Sequence, residues 1–136
     1  MINNAVRIFV AINALLFLGF GAYAFVSPEA LMEMMGASSM NSDGTYELRS
    51  NYGGVSFGIG LLCAAGVFRN GLRRPALFVL MTYTGGYALG RVLALPIDGV
   101  PSPNLIGFAV YEAVNAGLAA FLLTRLSAEA NSQKDF

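Results

Sequence analysis

Histidine is missing from this chain of 136 residues, and cysteine occurs once, as Cys63. No disulfide can therefore close within it, and neither a paired-thiol redox centre nor a Cys/His zinc site can be assembled. Charge is scarce too. Asp, Glu, Lys and Arg make up 12% of the residues, about half the share found in soluble globular proteins. They sum to a formal net charge of zero and form no basic tract, so nucleic acid is not an expected partner. There is no internal repeat and none of the alternation of a membrane-barrel strand. Without histidine, a thiol pair or a nucleophile–base spacing, an enzyme is the least favoured function, and neither metal nor cofactor is expected.

What the chain has instead is apolar length. Hydrophobic residues make up 56%, and glycine, at 16 residues, is plentiful, as it tends to be in membrane helices. Four apolar stretches stand out, over residues 5–26, 46–68, 75–95 and 104–126. Each is close to the ~20 residues that a helix needs to cross ~30 Å of hydrocarbon. Backbone groups in lipid must be satisfied within their own segment, which selects helices. The fold class expected is all-α: an integral membrane four-helix bundle over residues 1–127, followed by a polar tail over 128–136.

The connections carry their own signals. Ser27-Pro28-Glu29 offers a capping hydroxyl, proline at the first helical position and an acid at the positive end of the helix dipole. It opens a segment from Pro28 to Met35 in which Leu31, Met32, Met34 and Met35 are set against Glu29 and Glu33. That pattern predicts a short amphipathic helix at the membrane surface, after the first span. Gly36 to Gly44 is a polar turn region, Asn70-Gly71 a tight turn, and Pro96 to Pro103 a loop that cannot be helical throughout.

Lysine and arginine in the short loops set the orientation. Arg7, Arg69, Arg73, Arg74, Arg125 and Lys134 all fall on one side of the four-span arrangement, while the first and third loops hold Glu29, Glu33, Asp43 and Asp98. Both termini are therefore expected in the cytoplasm, in what would be a bacterial inner membrane. Arg7, the apolar run and Ala22-Tyr23-Ala24 also resemble a cleaved secretory signal. The run, however, is as long as a full span and continues past that cleavage site.

Two arginines are left over inside spans. Arg49 lies about one turn in from the outer end of the second span, and Arg91 about one turn in from the outer end of the third. The acids at similar depth are Glu47, Asp98 and Glu112, the last some 12 Å along its helix. A lone charge there costs ~2.5 kcal/mol or more, so these side chains should face the bundle and pair. The simplest arrangement pairs Arg49 and Arg91 with Glu112 and one of the outer acids. Tyr87 shares a helix face with Arg91, and Asn115 shares one with Glu112. Together Glu47, Arg49, Tyr87, Arg91, Asp98, Glu112 and Asn115 are the candidate ligand site or intramembrane polar network. Arginines near the interface can snorkel, and such charges can serve only to hold helices in register. Glu112 is too deep and too short to snorkel.

Tyr46 and Tyr52 suit an interfacial belt, whereas Tyr83 and Tyr111 lie deeper and should face protein or a cavity. Ser50, Gly54 and Gly58, Gly86 and Gly90, and Ala113 and Gly117 repeat at four-residue spacing, which predicts close helix contacts. Asn13 suits a helix–helix hydrogen bond and Cys63 an inert core thiol.

Glu47-Leu48-Arg49, Tyr52-Gly53-Gly54, Gly90-Arg91, Asp98-Gly99 and Glu112, in that order, give the chain a family likeness. It resembles the bacterial four-helix membrane proteins of domain-of-unknown-function family 4345, which are loosely similar in span pattern to DoxX-like proteins. The resemblance implies the fold and topology, and implies that these charged positions are shared; no redox role is transferred with it. The leading expectation for function is a polar pocket toward the outer leaflet, lined by Arg49, Arg91 and Glu112, that binds a small amphipathic molecule or a lipid head group. Arginine suits an anionic group there. The alternatives are an accessory or scaffold subunit whose glycine faces dock a second copy or a partner membrane protein, and, less favoured, a proton-coupled transporter using Glu112.

Overall fold

Large apolar side chains cover the outside of the bundle, and several polar ones are buried inside it beside an apolar core. In the computed structural model Ile8, Leu15, Leu93 and Phe121 are exposed, and Asn13, Ser56, Thr84, Glu112 and Asn115 are buried. Residues 1–36 and 41–132 are described, so Lys134, the end of the polar tail and part of the Gly36–Gly44 turn region lie outside the described residues. Those described are 92% helical with no strand.

Helix α1 spans Ile2–Val26. The short α2, Pro28–Met34, follows after Ser27. Helix α3 runs through Ser42–Phe68, α4 through Arg73–Asp98 and α5 through Pro103–Ser132. Four of these segments are long and apolar enough to cross a membrane, and the chain is an integral membrane four-helix bundle. Arg7, Arg69, Arg74 and Arg125 gather at one end; Glu29, Glu33, Asp43 and Asp98 gather at the other.

Several boundaries differ from the expected ones for local reasons. Ser27 precedes α2, but its hydroxyl makes no capping bond. The capping side chain is Asn41, whose Oδ1 accepts from Gly44 N at 2.9 Å, and it starts α3 before Tyr46. Asn70–Leu72 forms one 3₁₀ turn, which lets α4 begin at Arg73 with Pro75 in its first turn, where a missing N–H costs nothing. At the far end α4 continues through Pro96 to Asp98 and stops at Gly99. There φ is +82°, a conformation that L side chains disfavour.

Antiparallel α1 and α3 make one tight pair, and α4 and α5 the other. The first pair closes on glycines. Gly21 lies against the Gly53 carbonyl and Phe57, Gly53 lies under the Phe25 ring, and Gly60 faces Leu18. In the second pair Gly85 faces Ala116. The expected small-residue faces are not the ones used. Gly58, Gly86, Gly90 and Gly117 have open space where a Cβ would stand, and Gly54 has only a distant carbonyl of its own helix. Spacing alone cannot say which side of a glycine-rich helix turns inward.

At the basic end the two pairs are joined by a core that includes Val10, Phe17, Ile59, Leu77, Leu80 and Leu122. Arg73 seals it. Buried to 6% exposure, it donates from Nε to Gly66 O at 3.1 Å and from Nη1 to Asn3 Oδ1 at 3.0 Å and Asn3 O at 3.2 Å. It therefore ties the last carbonyls of α3 to the start of α1, a structural role beyond its contribution to loop charge. Toward the acidic end α2 tucks Leu31 and Met32 against Ala24 and Leu48, and leaves Glu29 and Glu33 exposed. The amphipathic pattern of this segment is realised in three dimensions.

Candidate functional site

Between the two helix pairs, beyond the core, the bundle does not close. A half-open cavity of about 770 Å³ remains there. Helix α1 contributes Leu16, Phe17 and Phe20; α2 contributes Met34 and Met35; α3 contributes Tyr52 and Ser56. The opposite wall is α4 with Tyr83, Thr84, Tyr87 and Arg91, and α5 with residues from Pro103 to Glu112, including Phe108 and Tyr111. The rings support one another edge to face. Phe17 lies 5.9 Å from Tyr83, Tyr83 lies 5.0 Å from Tyr87, and Phe20 lies 6.4 and 6.3 Å from Tyr52 and Phe108. Such contacts add to the burial of each ring and hold the wall in a defined shape.

Helix periodicity builds this wall. Tyr83, Tyr87 and Arg91 follow one another at four-residue spacing along α4 and so share a face. On α5, Phe108 and Glu112 do the same. In α3 the stretch Arg49–Gly54 is π-helical, a wider turn that shifts the register of the residues on either side of it. Tyr52 lies within it and Ser56 just past it. Such widened turns recur at functional sites.

Arg91 and Glu112 meet on the cavity wall. Arg91 Nε donates to Glu112 Oε2 at 2.6 Å and Nη2 donates to Oε1 at 2.8 Å. This is the side-on, two-bond geometry that suits guanidinium and carboxylate best. Glu112 is buried, at 8% exposure, while the Arg91 side chain is 30% exposed. The depth match is simple. Arg91 is seven residues before the end of α4 and Glu112 nine after the start of α5, roughly 10 and 14 Å from the same end. Among the described residues this is the only salt bridge.

The other sequence candidates separate. Arg49 is exposed and does not reach Glu112; its Nε donates to Phe25 O at 3.2 Å and caps the last turn of α1, which has no basic residue of its own. The expected pairing of Arg49 with an acid is thus replaced by a helix cap. That placement favours a cation at the negative end of a helix dipole. Glu47 Oε1 accepts from Asn51 Nδ2 at 2.5 Å on its own helix, and Asp98 is exposed at the end of α4. Tyr87 lines the cavity. Asn115 is buried one turn below Glu112, and its Nδ2 has no hydrogen-bond partner among the described residues. Asn13 makes the helix–helix contact expected of it: Tyr111 Oη donates to its Oδ1 at 3.4 Å, and its own Nδ2 donates to Phe9 O at 3.0 Å.

Sequence reasoning missed Phe20, Phe108, Met34 and Met35 as wall residues, and it placed Tyr52 in an interfacial belt. Nothing in the composition of an apolar span separates a ring that faces lipid from one that faces a cavity. No three acidic or thiol side chains converge as a metal site among the described residues, and Cys63 is buried in the core. The arrangement is suited to holding a molecule by shape, ring contacts and hydrogen bonds.

Fold and site together define a small integral membrane helical bundle with an aromatic cavity and, on its wall, a part-buried ion pair. The family model of a domain of unknown function (DUF4345) matches residues 5–123, and the chain belongs to that family. Comparison with curated proteins and with solved structures returns no match.

Proposed function

We propose that the chain binds a small amphipathic molecule in this cavity, its apolar body among the rings and its polar part beside Arg91 and Glu112. The observation that carries this is the coincidence of a cavity of about 770 Å³ with an ion pair on its wall whose carboxylate is buried. Small-molecule sites fall in the range of about 300–1,000 Å³ and combine apolar walls with a few placed polar groups. A pair needed only for helix register would be served as well by tight packing around it. Arg91, Glu112 and Tyr87 are the residues assigned to the site. By the distribution of arginine, the basic end lies in the cytoplasm with both termini, and the cavity lies toward the outer leaflet. A membrane lipid entering with its head group and a free amphipath are two sources of the same chemistry.

Native mass spectrometry of the protein released from nanodiscs tests this, with Gly107→Leu as the comparison. Gly107 lines the cavity, and a Cβ there meets nothing within 4 Å, so a leucine can start from that position and take up cavity space. An adduct of fixed mass on the wild type, lost in the variant, is the expected result. Identical spectra for the two proteins would defeat the proposal.

A second reading, docking of a second copy or a partner membrane protein, is favoured by the glycine faces. Gly58 on α3, Gly86 and Gly90 on α4 and Gly117 on α5 are exposed and unopposed within the chain. Faces of this kind let helices approach closely in lipid. Gly58→Leu should then break an assembly that cross-linking detects in native membranes. A monomer before and after the change would count against it.

A further inference from the structure

The charge balance of the cavity carries the binding proposal one step further, to the class of ligand. Of the described residues lining it, Arg91 and Glu112 are the only ones charged at neutral pH. They already neutralise each other through two hydrogen bonds. An anionic ligand taking the side-on edge of Arg91 would displace Glu112 and leave a buried carboxylate unpaired, which is strongly unfavourable. A cationic ligand taking Glu112 would strand Arg91 in the same way. The guanidinium nevertheless keeps donor capacity. It has five N–H groups, the carboxylate takes one on Nε and one on Nη2, and Nη1 has no partner among the described residues. The Arg91 side chain is 30% exposed and lines the cavity.

We infer that the cavity selects uncharged molecules: an apolar, ring-bearing body with a carbonyl or ester oxygen that accepts from Nη1 of Arg91, while Glu112 serves to cancel the arginine charge. This rests on the cavity being a binding site. Within that site it makes Glu112 a selectivity residue, and it replaces the anionic head group that an arginine alone would suggest. The aromatic wall from Phe17 to Phe108 suits a flat ring, which can stack or sit edge-on against its faces.

Methyl 2-naphthoate and 2-naphthoate share one ring body and differ in charge, which makes them suitable probes. The chain has six tyrosines and no tryptophan, and four of the tyrosines line the cavity, so quenching of tyrosine emission in nanodiscs reports occupancy. Gly107→Leu corrects for partition into lipid. The ester should bind the wild type saturably and about tenfold or more tighter than the carboxylate, in keeping with the cost of an unpaired buried charge. Glu112→Gln, which frees the arginine charge at constant size, should narrow or reverse that ranking. Equal or tighter binding of the carboxylate, abolished by Gly107→Leu, would overturn the inference and leave the cavity as a binding site. An unchanged ranking in a folded Glu112→Gln protein would overturn it too. Binding of neither probe would overturn the inference, and the adduct comparison with Gly107→Leu would decide the binding site separately. Should Glu112→Gln fail to fold, the ranking in the wild type decides.

Discussion

Glu112 gives both carboxylate oxygens to a single guanidinium, that of Arg91, at 2.6 and 2.8 Å across the α4–α5 contact. The acid is the more deeply buried partner. Removing the arginine therefore strands a charge in low dielectric, whereas removing both leaves only a small cavity. Arg91→Leu and Glu112→Leu should each lower stability by about 2–4 kcal/mol, and the double variant by less than the larger single loss. A double-mutant cycle on unfolding in mixed micelles measures this. Strictly additive losses would mean that the two side chains are not coupled.

Gly60 is the tightest point between α1 and α3 for which the opposing atom is backbone. A Cβ added there would stand 2.9 Å from the Leu18 nitrogen, a contact that no rotamer change relieves. Gly60→Ala should cost about 1–3 kcal/mol, as overpacking does. Gly58→Ala, where nothing lies within 4 Å, should be neutral or gain up to about 1 kcal/mol from helix propensity. Thermal melts of the two variants side by side would show the contrast.

Arg73 satisfies Gly66 and Asn3 from a buried position, while its neighbour Arg74 is exposed. Hydrogen bonds from a charged group are each worth about 1.5–3 kcal/mol. Arg73→Ala should thus lower the midpoint of unfolding markedly and Arg74→Ala should leave it unchanged. Arg73→Lys should recover only part of the loss, because one ammonium cannot match the fork that reaches both α3 and α1. A full rescue by lysine would show that the charge matters more than the geometry.

Asn115 is buried with an unpartnered amide nitrogen, so it differs from Asn13, whose amide is bonded on both sides. Replacing an unmet polar group by an apolar one of similar size is neutral or stabilising, whereas breaking a met one costs about 1 kcal/mol or more. Asn115→Leu should therefore match or exceed the wild type in a denaturation series, and Asn13→Leu should fall below it. A loss at Asn115 as large as that at Asn13 would point to a bonded partner for its amide.

Orientation can be read with single cysteines introduced into a Cys63→Ala background. Asn70→Cys, in the turn between α3 and α4, should be shielded from a membrane-impermeant maleimide in intact cells, and Ser102→Cys, before α5, should react. The reverse pattern would place the basic end outside, against the charge rule.

Span number and most of the helical segments were legible in the sequence, because length and hydropathy are local properties and lipid leaves the backbone few alternatives. Arg91 and Glu112 were also legible, as charges at matched depth that lipid will not tolerate unpaired. The cavity was not, nor was the use of Arg49 as a cap for α1, the clamp at Arg73 or the choice of Gly21, Gly53 and Gly60 over Gly54 and Gly58 as the contact face. Each of these depends on how far a helix is rotated about its axis and which neighbour it meets. In spans that are apolar all round, periodicity carries little of that information. Only the packing of α1 on α3 and of α4 on α5, with a gap left between the pairs, decided it.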